Sequence, residues 1–281
     1  MIYAFRKWRL ICDEVAVGSW NMAVDEAILE AVIVGEVSPT LRLYAWEPPC
    51  LSLGYAQPIS DISIKALEDR NWDLVRRPTG GRAILHADEL TYSICSTIDD
   101  PLLAGGVLGS YKTLAKWLLN ALRLLGIEGE VIDKKLLREL EEQLNNAANQ
   151  NPVCFEVPSS YEMIVRGKKI IGSAQVRRKG GVLQHGSLPL KGDLTRIIQV
   201  LNLPRIDPTE VLLRLLERAI TVEQVLGRII SWNGAAQAFS SAFHQTFDLD
   251  LQNAELTSSE QNRAKELVKE KYTNYQWTGR I

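Results

Sequence analysis

The chain has 281 residues, 46% of them apolar, enough for one large core, and a formal charge of −2 that gives no global field toward nucleic acid or a membrane. No apolar run approaches a bilayer span, and the opening "MIYAFRKWRL" has no signal-peptide core, so a cytoplasmic protein is expected. Four cysteines (12, 50, 95, 154) without paired spacing and only three histidines speak against a disulfide framework, a zinc site or a multi-histidine metal centre.

In chain order, "SWNMAVDEAILEAVIVGE" predicts a helix with Ser19 as N-cap and Met22, Ala23, Ala27, Ile28 and Val32 on one face. "TLRLYAW" predicts a strand, "EPPC" breaks it, and "LSLGYAQ" starts a second. "ISIKALEDR" predicts a short helix; "DLVRRPTGGRAILH" predicts strand, glycine turn and strand, and "LTYSICST" one more strand. Residues 107–125 predict a strongly amphipathic helix with Leu114, Trp117, Leu118, Ala121 and Leu125 along its stripe. "KKLLRELEEQLNNAANQN" predicts a polar helix or mobile segment, with a flexible loop over 144–151. "SYEMIVRGKKIIGSAQVRRKGGVLQHGSLPL" predicts a strand, a tight turn, then a hairpin closed around Gly180-Gly181, in which Gln175 and His185 face each other across the strands. From residue 192 the pattern is helical, with Thr221 and Gln224 forming a capping box, and "LTSSEQNRAKELVKEKYTNYQW" predicts a capped polar helix ending in an aromatic anchor. The fold class is α/β in the α+β sense, a mixed β-sheet flanked by helices, with residues 1–250 as one domain and 251–281 as a C-terminal helical extension packed on it.

Two segments concentrate chemistry. In "RRPTGGRAILHADELTYS" (76–93), Arg76, Arg77 and Arg82 bracket Gly80-Gly81, with His86 close behind. Adjacent glycines permit close approach or positive φ, so this turn reads either as a cradle for a phosphate or carboxylate or as a hairpin turn with surface arginines. In "GKKIIGSAQVRRKGGVLQHG" (167–186), Lys169 precedes the small residues Gly172, Ser173 and Ala174, which leave room for a ligand along the strand. Six basic and no acidic residues across 166–179 form a positive patch, at whose tip Arg177, Arg178 and Lys179 would dock an acidic protein; the plain alternative is a solvated edge hairpin. Cys154 in "NPVCFEVPSSYEM", taken by itself, reads as apolar filler between Val153 and Phe155. Cys12, Cys50 and Cys95 read as inert packing.

These motifs, with "WNMAVDEA…LRLYAWEPPCLSLGYAQ", occur in one order over roughly residues 8–190, and the chain resembles the lipoate/biotin protein ligase superfamily. Within it the similarity is to the LipM-type octanoyl-[acyl-carrier-protein]:protein N-octanoyltransferases. The resemblance implies a biotin/lipoate ligase-like catalytic domain of class II aminoacyl-tRNA synthetase type, with C-terminal helices and no cofactor. It implies transfer of octanoyl from acyl carrier protein to a lysine of the glycine cleavage H protein or of a dehydrogenase-complex lipoyl domain; from the near-neutral charge and the short apolar runs, binding to neither nucleic acid nor membrane is expected, and a monomer is the default expectation. Residue by residue, Cys154 falls on the acyl-accepting cysteine and Lys169 on the lysine that contacts the acyl carbonyl. Arg76, Gly80, Gly81 and His86 fall on the segment lining the acyl and carboxyl-activating end of the pocket, and Gly172, Ser173 and Ala174 on the strand lining the acyl tunnel. Other readings remain open: an ATP-dependent lipoate–protein ligase, disfavoured because Arg82 stands where adenylating relatives usually have a third glycine; a LipL-type amidotransferase; and a non-catalytic scaffold for a lipoyl domain.

Overall fold

The amphipathic stripe of 107–125 shows how the core is organised, because every one of its predicted residues is buried. In the computed structural model, which describes residues 7–133, 161–203 and 207–281, this stripe belongs to a helix over Gly106–Leu124. Its aromatic anchor Trp117 packs edge-on against Phe239 and Phe243 of the later helix Trp232–Phe247 and donates its indole N–H to the Phe239 carbonyl at 2.8 Å. Together these two helices cover one face of the main sheet, where Tyr92 and Trp8 complete the aromatic cluster.

The main sheet has eight described strands: β1 (Lys7–Ala16), β2 (Thr40–Trp46), β6 (Glu89–Thr97), β7 (Glu130–Asp133), β8 (Tyr161–Val165), β9 (Lys168–Arg178), β10 (Gly181–Pro189) and β11 (Asp250–Asn253). Their order is β11-β1-β2-β6-β10-β9-β8-β7. β1 runs parallel to β2 and β11; the other pairs are antiparallel. The mixed sheet flanked by helices is therefore as expected. β10 is buried at all nine positions and β6 at eight, since both of their faces are covered, so neither shows the polar–apolar alternation of a half-exposed strand.

Helix α1 (Gly18–Ile33) lies on the opposite face, burying Met22, Ala23, Ala27, Ile28 and Val32 as predicted. It starts two residues earlier than predicted: Ser19 is inside the helix, Val17 is the N-cap, and no side chain caps it. Asp73 replaces the missing cap, its Oδ2 accepting from Gly18 N at 3.1 Å. A Cβ at Gly18 would stand 2.4 Å from Cys50 Sγ, so a side chain there would force the buried Cys50 thiol to move. The C-terminal helix Ser258–Leu267, which has a Thr257/Glu260 capping box, packs on α1, and the Thr221/Gln224 box is present as predicted.

A second, three-stranded sheet holds β3 (Cys50–Leu53) between β4 (Asp73–Arg76) and β5 (Ile84–His86). The two strands flanking the glycine turn thus do not pair with each other as a hairpin; both pair with β3, whose apolar, fully buried run takes the centre. The turn between them instead packs on the loop after β3, where a Cβ on Gly54 would lie 1.8 Å from the Gly81 carbonyl oxygen. Gly81 itself sits at φ +95°.

Candidate active site

The cleft face of β9 is set by one irregularity. Pairing with β8 runs Met163↔Ile171 and then Ile164↔Lys169, so Ile170 is an extra residue, a β-bulge. The bulge inverts the alternation. Lys169 therefore shares a face with Gly172 and Ala174, while Ile170 and Ile171 enter the core. A regular strand would have aimed Lys169 at the helical layer. Lys169 is 4% exposed, and its Nζ donates to Glu162 Oε1 at 2.9 Å, a pairing that fits a charged amine so deeply placed.

Next along that face is a narrow slot whose lining includes Met22, Trp46, Arg77, Ile84, His86, Gly172, Ser173, Ala174 and His185. Its cavity volume is about 20 Å³, room for about one water, so an incoming acyl chain must part its walls. The polar groups around it bond one another. Trp46 stacks on His86 at 4.0 Å; His86 bonds Ser52 Oγ through Nε2 (2.6 Å) and Glu89 through Nδ1 (2.7 Å). Glu89 also accepts from Thr91 at 2.5 Å and from Ser187. Ser173 turns its hydroxyl to Tyr92 (2.7 Å) on the other face of the sheet.

A second histidine network backs the slot. His185 Nε2 lies 2.6 Å from Thr79 Oγ1, and its Nδ1 lies 3.5 Å from Asp25 Oδ2. Asp25, wholly buried on α1, also accepts from Arg42 (2.9 Å), Tyr44 (2.9 Å) and Ser93 (2.8 Å). Burial pushes the Asp25 carboxyl up, but the His185 bond, the Arg42 and His185 charges and the Ser93 hydroxyl together hold it below its usual range. Burial holds His185 below the usual histidine value against the pull of Asp25, so the ring is neutral near pH 7.

The anion cradle expected at the R-R-P-T-G-G turn is built differently. Arg76 and Arg77 are buried, not surface residues, and their guanidinium groups hold backbone. Arg76 donates to the carbonyls of Gly54 (2.8 Å), Gln57 (2.6 Å) and Thr278 (2.7 Å), clasping the C-terminal helix Tyr275–Thr278 to the turn. Arg77 donates to Ser52 O (2.7 Å), Gly80 O (3.1 Å) and Arg82 O (3.0 Å). Trp277, the predicted aromatic anchor, donates to Arg76 O at 2.9 Å. Beyond the turn lies a cleft of about 580 Å³ lined by Tyr55, Gln57, Pro78, Gly80, Gly81, Arg82, Val176 and Arg178.

The β9–β10 hairpin closes through Lys179-Gly180, both at positive φ, pairing Arg178 with Gly181. This two-residue loop shifts the predicted register by one. Gln175 faces Gln184, His185 faces Ala174, and Gln175 and His185 occupy opposite faces of the sheet. Much of the basic patch is also tied up: Arg177 donates to the Leu103 (2.6 Å) and Gly106 (2.8 Å) carbonyls, Arg178 pairs with Glu26, and Lys168 donates to Leu216 O at 2.5 Å. Lys179 is exposed. Cys50 and Cys95 are buried and Cys12 exposed; burial, the largest influence on each, pushes all three thiols up, away from the reactive thiolate. Cys154, like the polar segment before it and the predicted loop at 144–151, lies outside the described residues.

Asp25, Ser52, Thr79, Glu89 and Glu162 were missed as site residues. Asp25 and Glu162 look like ordinary polar positions of a helix and a strand, and only the long-range pairing brings them to the slot.

Residues 18–244 match the model of the lipoyl protein ligase A/B catalytic domain. The chain belongs to that family. It is 38% identical over 276 residues to octanoyltransferase LipM of Brevibacillus brevis, covering 96% of this chain and 98% of that protein. Its identity to octanoyltransferase LipM of Moorella thermoacetica is 40% over 275 residues, covering 97% and 98%. The resemblance to LipM-type enzymes therefore holds, and the chain is an acyltransferase. Among solved structures, the bipartite lipoate protein ligase of Thermoplasma acidophilum shares the fold at TM-score 0.79 and 24% identity, over 98% of this chain and 97% of that one. A lipoate-protein ligase A bound with ATP does so at TM-score 0.77 and 25% identity, over 98% and 100%.

Proposed function

We infer that this enzyme moves octanoyl from the thioester of an acyl carrier protein to a lysine of a lipoyl-accepting protein, through a thioester on Cys154. The observation that carries the reading is Lys169, buried, paired with Glu162 and aimed by the bulge onto the same face as the apolar slot. The relatives named octanoyltransferase LipM supply the acyl group. An ordinary thiol, with pKa near 8.5, is only a few per cent ionised at pH 7, so an ammonium close by favours the competent thiolate.

In the first half-reaction the Cys154 thiolate attacks the donor carbonyl, the oxyanion forms beside the Lys169 ammonium, and the carrier leaves as its thiolate. In the second, the neutral amine of the acceptor lysine attacks the Cys154 thioester. The amine loses its proton, the amide forms and the Cys154 sulfur departs. Thioester exchange is nearly balanced and thioester to amide is downhill, so no ATP is consumed. Burying the acyl methylenes, at about 0.8 kcal/mol each, contributes roughly 5 kcal/mol as an upper figure.

The test is intact-protein mass. The enzyme mixed with octanoyl-carrier protein, in the absence of ATP, is expected to gain one octanoyl group and pass it to a lipoyl domain. No acylation without ATP, together with modification of the domain from free octanoate and ATP, overturns the reading in favour of a ligase.

Partner docking belongs to the same proposal. Carrier proteins and lipoyl domains are acidic, and Lys179 is the hairpin-tip charge whose reversal breaks no internal bond seen among the described residues. Lys179→Glu is expected to raise KM for the carrier-bound donor about two- to fivefold at low salt, with the difference fading toward 1 M salt as screening lengths shrink. An unchanged KM and salt slope would remove the tip from the docking surface.

A further inference from the structure

Successive residues along the cleft face of β9 line two cavities. Gly172 and Ala174 line the narrow slot, and the next residues on that face, Val176 and Arg178, line the 580 Å³ cleft. The R-R-P-T-G-G turn makes the same passage: Arg77 lines the slot, whereas Pro78 and Gly80 line the cleft. Flanked by Pro78 and Gly80 is Thr79, fully buried, its hydroxyl bonded at 2.6 Å to His185, which itself lines the slot and sits directly opposite Ala174 in the strand register. We propose that the Thr79–His185 pair is the end wall of the acyl slot and sets the length of acyl chain the enzyme accepts. The proposal rests on the octanoyl-transfer reading above, and takes the carbonyl end of the chain to lie at Lys169.

From Lys169 the face passes Gly172 to Ala174, about four residue rises or roughly 13 Å of strand once the bulge is skipped, and the slot lies over the Gly172–Ala174 end of that path. One side wall is soft. Met22 is unbranched and adaptable and Ile84 offers only apolar, undirected contact, so this side can part for a chain, while Trp46 is held by its N–H on Thr91 at 2.7 Å and by its stacking on His86. The end wall is not soft. His185 is held from behind by Asp25, which Arg42, Tyr44 and Ser93 fix in turn, and Thr79 is locked to the ring by its only hydroxyl. A chain growing along the slot therefore meets a bonded partition. Beyond it the cleft has ample volume for several more methylenes, so the limit on length comes from the partition and not from lack of space.

The experiment compares transfer from octanoyl-, decanoyl- and dodecanoyl-carrier protein by the full chain and three variants. Thr79→Gly removes the wall and joins the cavities; the dodecanoyl-to-octanoyl ratio of kcat/KM is expected to rise tenfold or more, well inside the ceiling of about fourfold per added methylene. Thr79→Ala keeps a Cβ in the turn and is expected to raise the ratio by less, which preserves the test should the glycine variant not fold. Thr79→Ser keeps the hydroxyl bond and is expected to leave the ratio near that of the unaltered chain. A ratio unmoved in every folded variant, or raised equally by Ser, overturns the end wall. Failure of the unaltered chain to transfer octanoyl without ATP tells against the transferase reading instead.

Discussion

Cys154→Ser, mixed with octanoyl-carrier protein, should show no octanoyl adduct in its mass spectrum and should lose turnover by at least about a thousandfold, the scale on which enzymes lose activity when their nucleophile is removed. A serine hydroxyl at the same place is not ionised near pH 7, and a lysine ammonium that suffices to favour a thiolate cannot generate an alkoxide. The other three cysteines cannot take over. Cys50 and Cys95 are buried with thiols pushed up by desolvation, and Cys12 lies on β1 with its thiol pushed up by burial and then by Asp13. Cys154→Ala serves as the control without any hydroxyl, and both variants should keep the thermal midpoint of the parent chain to within a few degrees, so that loss of chemistry is separable from loss of fold. An octanoyl adduct on either variant, or turnover within tenfold of the parent, would place the nucleophile elsewhere.

How far the site could be read from the residues depends on the range of the interactions that build it. The stripe Leu114, Trp117, Leu118, Ala121 and Leu125 was legible because helical periodicity is local, and so were the Thr221/Gln224 box and the small-residue run Gly172-Ser173-Ala174. Arg76 and Arg77 were misread as charges facing outward or gripping an anion. Their roles depend on carbonyls at 52, 54, 57 and 278, and no window of sequence contains those partners. The Gln175/His185 register failed by one residue because two glycines at 180 and 181 allow alternative turn positions, and a single step exchanges the faces of the strand. Lys169 was marked by motif, yet a bulge at Ile170 decides where it points. Motifs thus marked the candidate site, while the aiming of its described side chains was settled by strand pairing.

Asp25→Ala should lower stability by about 3–5 kcal/mol, the usual consequence of removing one partner from a buried ion pair, and should lower the thermal midpoint by on the order of 10 °C. The carboxylate takes bonds from Arg42, Tyr44 and Ser93 and lies against His185, all inside the protein. Its removal leaves the Arg42 guanidinium, 1% exposed, with Asp13 as its remaining carboxylate partner and strands two hydroxyl donors. The exposed Asp99→Ala is the control and should change stability by less than about 0.5 kcal/mol. The pH dependence has a defined sign. Asp25 is held below the ordinary carboxylate range, so its contribution is complete above about pH 4 and is lost as the pH falls through the folded-state value. His185 is held below the ordinary histidine value, so as the pH drops past about 6.5 the unfolded chain takes up a proton that the native ring refuses, and stability falls there too. Both groups weaken the fold in acid. His185→Gln should therefore flatten the stability profile between about pH 6.5 and pH 5, and Asp25→Asn should flatten the limb below pH 4. Profiles for the two variants that parallel the parent chain across both windows would remove these groups from the acid response. Because the same carboxylate anchors His185 against Thr79, the loss of stability and any loosening of acyl-length selection in Asp25→Asn should appear together.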